Sequence, residues 1–199
     1  VDPTTACSDE AMPRRSGYRS STSSVTTGTI SAQPNANTMI GHSDHQALAE
    51  LGFIVVAIDG MGTPMRSKSF QDAWYGDMAD NTLPDQVAAL EQLGQRHPWI
   101  DTTRAGMWGH SGGGNATTAA MLRYPQVYKV GVAQAGNHDN LTYEDDWAER
   151  YHGLLEKKDD GTSNYTGQDN ASQAKNLQGK LLLVHGMMDD NVPVQSTLQ

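Results

Sequence analysis

Residues 107–122 read MWGHSGGGNATTAAML: an apolar start, a serine set among glycines, then an alanine-rich continuation. Gly109-His110-Ser111-Gly112-Gly113 fits the G-x-S-x-G pattern, in which a sharp turn between strand and helix lifts a serine hydroxyl clear of a sheet. Such a turn makes Ser111 a candidate nucleophile. It also aims the N–H of Gly112, at the free start of the next helix, at the point where an oxyanion would develop. The same letters suit a glycine-rich turn that only packs closely against a sheet, so the surrounding chain has to decide between the two.

Outward from this run, strand-like and helix-like segments alternate. SDHQALAELG (43–52) reads as a short helix with Ser43 as cap, Gln46 as its reciprocal partner and Gly52 as its stop. FIVVAIDG (53–60) is a continuous apolar run of strand length, the pattern of a strand covered on both faces. In NTLPDQVAALEQLGQRHP (81–98), Leu83, Val87 and Leu90 share one helical face, Thr82 and Asp85 are spaced as a cap, and Pro98 ends the run. RAGMWGHS (104–111) reads as strand, GGNATTAAMLRYP (113–125) as helix, and YKVGVAQAG (128–136) and KLLLVHG (180–186) as strands. This alternation predicts an α/β fold, a mostly parallel sheet with helices on both faces. In such sheets ligands gather beyond the carboxyl ends of the strands, where Asp59, Ser111 and Asp189 all fall.

Two regions lie outside the alternation. Residues 1–40 are Ser/Thr-rich with little periodicity and are expected to form a loose arm, with one edge strand near Val25–Ile30; residues 41–199 form the domain. LEKKDDGTSNYTGQDN (155–170) is polar and turn-rich, and reads as a solvated surface excursion.

Composition narrows the partners. The 199-residue chain suits one domain, and its net charge of −9 and pI near 5.1 disfavour nucleic acid and anionic membranes as partners. A small neutral or cationic molecule fits better. Cys7 is the single cysteine, so no intrachain disulfide forms. Val1-Asp2-Pro3-Thr4 lacks the basic start and apolar run of a targeting peptide, and no stretch approaches the roughly 18 apolar residues of a membrane span, so the chain as given is expected to be soluble.

A serine hydroxyl near neutral pH needs a base within hydrogen-bond reach and a carboxylate to orient that base. Asp189, after a buried-type strand and a turn, suits the carboxylate, because the chain order in α/β hydrolases is Ser, acid, His. Its neighbour Asp190 is better described as a turn or cap aspartate. Among histidines, His138 is the best internal candidate for a substitute base; His110 is adjacent to Ser111 and should aim away from it, and His185 suits loop support. His42, Asp44 and His45 have metal-like spacing but lack a fourth partner, so a helix cap fits better and no metal or other cofactor is expected.

At this point four stretches become specific together. IVVAIDGMGTPMRSKSFQDAWYGDM (54–78), GHSGGG (109–114), YEDDWAERYHGL (143–154) and LLLVHGMMDDNVPVQS (181–196) resemble, in order, landmarks of the catalytic domain of the prolyl oligopeptidase family, nearest its dipeptidyl peptidase IV branch. The resemblance covers about residues 44–196 and implies a partial α/β-hydrolase domain. It implies Ser111 as nucleophile, Asp189 as triad acid and the Gly112 N–H as oxyanion donor. It also implies Tyr143 and Trp147 as walls of a pocket for a proline-like side chain, and Asn191 as a holder of the substrate carbonyl; ordinary core packing also fits Tyr143 and Trp147.

The sequence departs from the family in three places. The family's catalytic histidine lies a few dozen residues beyond the acid and has no counterpart before Gln199. The loop tyrosine that completes the family's oxyanion hole is not matched by SAQPNANTMIG (31–41), and Tyr18 has the wrong context. The family's β-propeller is also unmatched. Two functions are therefore expected in order: a serine hydrolase acting on a small peptide or ester, or a weak or inactive hydrolase-fold fragment that binds ligands or forms homo-oligomers through an exposed sheet edge.

Overall fold

The computed structural model describes residues 25–26, 44–63, 66–80 and 82–199. Apart from Val25 and Thr26, the expected arm lies outside the described residues, as do Cys7, Tyr18, His42 and Ser43. The elements in chain order are β1 (Val25–Thr26), α1 (Asp44–Glu50), α2 (Lys68–Gln71), α3 (Leu83–Arg96), β2 (Ala105–His110), α4 (Gly112–Arg123), β3 (Tyr128–Gln134), α5 (Asp145–His152), β4 (Lys180–Val184) and α6 (Gln195–Leu198). The strands form one parallel sheet in the order β1-β2-β3-β4. A parallel sheet built from β-α-β crossovers is what the alternating pattern called for.

The register ties the sequence pattern to a layer. Met107, Gly131 and Leu181 stand abreast, as do Trp108, Val132 and Leu182, on opposite faces of the pleat. The first face is covered by α4, whose residues Gly113 to Leu122 are all buried. A helix buried all round needs small side chains where it meets the sheet, and Gly113, Gly114, Ala116, Ala119 and Ala120 supply them. Leu83 and Leu90 of α3 join Ala105, Met107, Met121 and Tyr128 in the same core, with Val87 and Leu181 packed against it. Each fully buried leucine contributes about 1.5–3 kcal/mol through removal of apolar surface from water.

Two local expectations need correction. FIVVAIDG (53–60) is not a strand: it carries no ladder pairing among the described residues, and its side chains are mostly half-buried or exposed. An apolar run extends regardless of partner, but becomes a strand only when a neighbour takes up its N–H and C=O groups. The second concerns α3. Thr82 does precede its first residue, but with φ 59° and no side-chain cap bond; its hydroxyl instead accepts from Gln86 Nε2 at 2.9 Å. Asp85, the expected partner, accepts the Met61 N–H at 2.6 Å and so pins the turn at 60–63 to the helix. A tertiary acceptor has displaced the local capping box. The helix ends at Arg96, just ahead of Pro98, as expected.

The excursion at 155–170 is solvated over Leu155–Gly161, then turns inward. Tyr165 is buried and its hydroxyl donates to Gly153 O at 2.8 Å, and Asn170 is buried beside α4.

Candidate active site

Ser111 joins β2 to α4 with φ 58° and ψ −122°, a backbone conformation that side chains other than glycine rarely adopt. Residues held this way cost about 1–3 kcal/mol and persist only where their surroundings over-determine them. The surroundings here are visible. The Ser111 N–H donates to Gln134 O on β3 at 2.9 Å, and its carbonyl accepts from Asn115 N at 3.0 Å. A Cβ on Gly109 would lie 2.2 Å from Gly113 O, and one on Gly114 would lie 2.4 Å from Gln134 O. The glycines flanking Ser111 are therefore required by backbone contact, which lets the turn tighten until the serine stands at the sheet's carboxyl end. Gly112 opens α4, so its N–H has no acceptor within the helix, and it makes no hydrogen bond among the described residues. The Ser111 hydroxyl makes no hydrogen bond among the described residues, and the residue is half-buried.

The carboxylate lies beyond β4. Ala135 N donates to Val184 O at 2.8 Å, which carries the sheet's carboxyl end across from the strand beside Ser111 to the start of the acid loop. Asp189 Oδ1 accepts the N–H groups of Asn191 at 3.1 Å and Val192 at 3.0 Å. These donors, Val192 foremost, hold the Asp189 carboxyl below the usual carboxylate range, so it is ionised. His185 braces the loop from beneath. Its side chain is 3% exposed, its Nε2 lies 2.8 Å from Val192 O and its Nδ1 2.7 Å from Thr197 Oγ1. Nε2 must carry a proton to serve the carbonyl. The same Nε2 is 3.6 Å from Asp189 Oδ2. One ring nitrogen of His185 thus holds the acid loop and the other holds α6, in keeping with the supporting role expected of it.

Tyr143, Trp147 and Asn191 come together at the same edge. The Tyr143 hydroxyl donates to Asn191 Oδ1 at 3.1 Å, and its ring meets Trp147 edge-on with centroids 5.6 Å apart. With its oxygen engaged, Asn191 has its amide nitrogen left to donate. Burial, and next the Glu144 carboxylate, raise the Tyr143 hydroxyl's pKa, so it stays a protonated donor. Tyr143 itself lies two residues ahead of α5; Trp147 is on the helix.

His138 is not hydrogen-bonded to Ser111. Its ring is buried, its Nδ1 lies 3.1 Å from Asn170 Nδ2, and its backbone N–H donates to Ser196 Oγ at 2.8 Å. An amide donor on Nδ1 leaves the proton on Nε2, which has no partner among the described residues. Burial, with a smaller push from His185, lowers its pKa to about 4. The ring is neutral near pH 7, with its proton on the nitrogen that a base would need bare. His110 is exposed at the end of β2, in register with Gln134 and Val184 on the face opposite α4. His45 stands in α1.

Sequence reasoning missed a polar network behind the site. Asn170 Nδ2 reaches Asn115 O and Oδ1 at 3.1 and 2.7 Å, Asn170 N donates to His138 O at 2.9 Å, and Asn140 Nδ2 lies 2.7 Å from His152 Nε2. These bonds tie the first turn of α4, the loop after β3, α5 and the segment that ends at Asn170 into one unit. The signal was present in AGNHDN (135–140), where polar residues follow a strand without a break and have to find partners when buried.

With this geometry in place, three comparisons bear on the chain. The sequence profile of the prolyl oligopeptidase family matches residues 40–199. Human dipeptidyl peptidase 8 is 32% identical over 145 residues, 73% of this chain and 16% of that protein. Venom dipeptidyl peptidase 4 of Vespa velutina is 31% identical over 147 residues, 73% of this chain and 19% of that protein. The crystal structure of Porphyromonas gingivalis dipeptidyl peptidase 4 superposes with a TM-score of 0.74 at 30% identity, covering 88% of this chain and 24% of that one. The chain thus spans less than a quarter of each of these relatives.

Proposed function

The chain belongs to the prolyl oligopeptidase family, and on that premise we propose that it carries the nucleophile of a serine peptidase, acting through an acyl-enzyme on Ser111. One observation carries this reading: a non-glycine residue held at positive φ on the strand-to-helix turn, its hydroxyl and the helix-start N–H beside it without hydrogen-bond partners among the described residues. Ser111 Oγ attacks the substrate carbonyl, and the carbonyl oxygen gains charge against the Gly112 N–H. A base takes the serine proton and returns it to the leaving group, and ionised Asp189 orients and stabilises that base in its cationic form. Tyr143 and Trp147 wall a pocket for a proline-like side chain, and Asn191 donates to the substrate carbonyl. His138, neutral and bound to Asn170, supports this reading as a scaffold better than as the base.

Short peptides are the substrate class, with small esters as easier alternatives because their leaving groups need less protonation. The test is intact mass after fluorophosphonate treatment, with Ser111→Ala and denatured protein as controls. One adduct on folded wild type alone is expected. Absence of an adduct on folded wild type would overturn the reading.

A further inference from the structure

The aromatic wall does not stop at the two pocket residues. Trp147 packs on Tyr151 with centroids 4.8 Å apart at 58°, so Tyr143, Trp147 and Tyr151 form an unbroken ladder at spacings of four. All three rings are half-buried, while Ala148 and His152 on the neighbouring stripe of α5 are buried. The buried stripe anchors the helix, and the aromatic stripe is partly exposed. One end of the ladder is tied to the acid loop by the bond from Tyr143 to Asn191. The other end is tied to the chain before α3: Gly76 N donates to Tyr151 O at 2.7 Å, and a Cβ on Gly153 would lie 3.0 Å from the Tyr75 hydroxyl. That segment is itself fixed, because Trp74 Nε1 donates to Met61 O at 2.7 Å.

We infer that Tyr151 is a positioning residue for substrate selectivity: it holds the Trp147 indole in one rotamer and thereby sets the largest side chain the pocket admits. The inference rests on the pocket reading given above. An indole braced by rings on both sides cannot swing aside to receive a bulky residue; with the outer ring removed, one side of it is free. Tyr151 touches neither substrate nor Ser111 in this scheme. Its effect should therefore appear in KM and in the ratio between substrates, with kcat for the small substrate preserved.

The experiment compares Ser111-dependent hydrolysis of the p-nitrophenyl esters of acetyl-proline and acetyl-phenylalanine by wild type, Tyr151→Ala, Tyr151→Leu and Tyr151→Phe. Circular dichroism checks that each is folded. The phenylalanine-to-proline ratio of kcat/KM should rise roughly tenfold in the Ala and Leu variants, the scale set by pocket-size discrimination, and stay near wild type in Tyr151→Phe. An unchanged ratio in a folded Ala or Leu variant would overturn the inference while leaving the peptidase reading intact. Failure of both to fold would assign Tyr151 to stability and overturn it as well. A folded wild type that neither takes up fluorophosphonate nor hydrolyses either ester beyond Ser111→Ala would remove the underlying reading, and the inference with it.

Discussion

Gly114 shows how one missing Cβ builds the site. An alanine there would press on Gln134 O at 2.4 Å and on the Gln134 carbonyl carbon and nitrogen at 3.1 and 3.2 Å, all backbone atoms that cannot move aside cheaply. Gln134 O is also the acceptor for Ser111 N, so the substitution strains the contact that shapes the turn. Gly114→Ala should cost about 1–3 kcal/mol in denaturant unfolding and slow fluorophosphonate labelling at Ser111 more than that loss explains. His138 makes a second residue-level prediction. Its folded pKa of about 4 lies below the ordinary 6.5, so the unfolded chain binds the proton more tightly. Stability from this group is complete above pH 6.5 and is lost as pH falls from 6.5 towards 4. Urea midpoints measured across that window should fall with pH, and less steeply in His138→Gln if that variant folds.

At the scale of elements, legibility followed hydrogen-bond partners. β2, α4, β3 and β4 stand where the sequence put them, because each carries its own signal and finds a neighbour: a ladder for the strands, small residues for the helix that lies on them. FIVVAIDG had the apolar signal and no ladder. The cap of α3 was legible as spacing, but Asp85 serves Met61 N instead. The face of α3 was read correctly, with Leu83 and Leu90 in the core. Leu90→Ala should therefore cost about 2–5 kcal/mol by thermal or denaturant unfolding. The acid loop depends on Asp189 accepting two backbone N–H groups. Since its folded pKa lies below the ordinary 3.8, its contribution is present above pH 3.8 and is lost as pH falls through the lower folded value. Asp189→Ala should loosen residues 186–192 in hydrogen exchange, whereas Asp189→Asn, which keeps an acceptor oxygen, should loosen them less.

For the whole molecule, the sheet is asymmetric. α4 and α3 bury one face; on the other, Val130 is 48% exposed, Leu182 57% and Val184 44%. β4 ends the strand order and has a free edge among the described residues. A bare edge joined to an apolar face favours pairing with another chain. We propose self-association there, and Leu182→Lys should shift the mass measured by light scattering towards the monomer at high concentration. A monomer at all concentrations in wild type would remove the proposal.

The sequence by itself determined the succession β2, α4, β3 and β4, the turn that bears Ser111, the buried stripe of α3 and the family. These depend on local spacing, on residue size and on backbone demands that only glycine meets. Tertiary structure alone decided where buried polar groups find partners: Asn170 on Asn115 and His138, His185 beneath Asp189, Asp85 on Met61. It alone decided that Tyr151 would brace Trp147. A hydrogen bond or ring contact is chosen by proximity after the chain has folded, and residues far apart in sequence carry no local pattern announcing that they will meet.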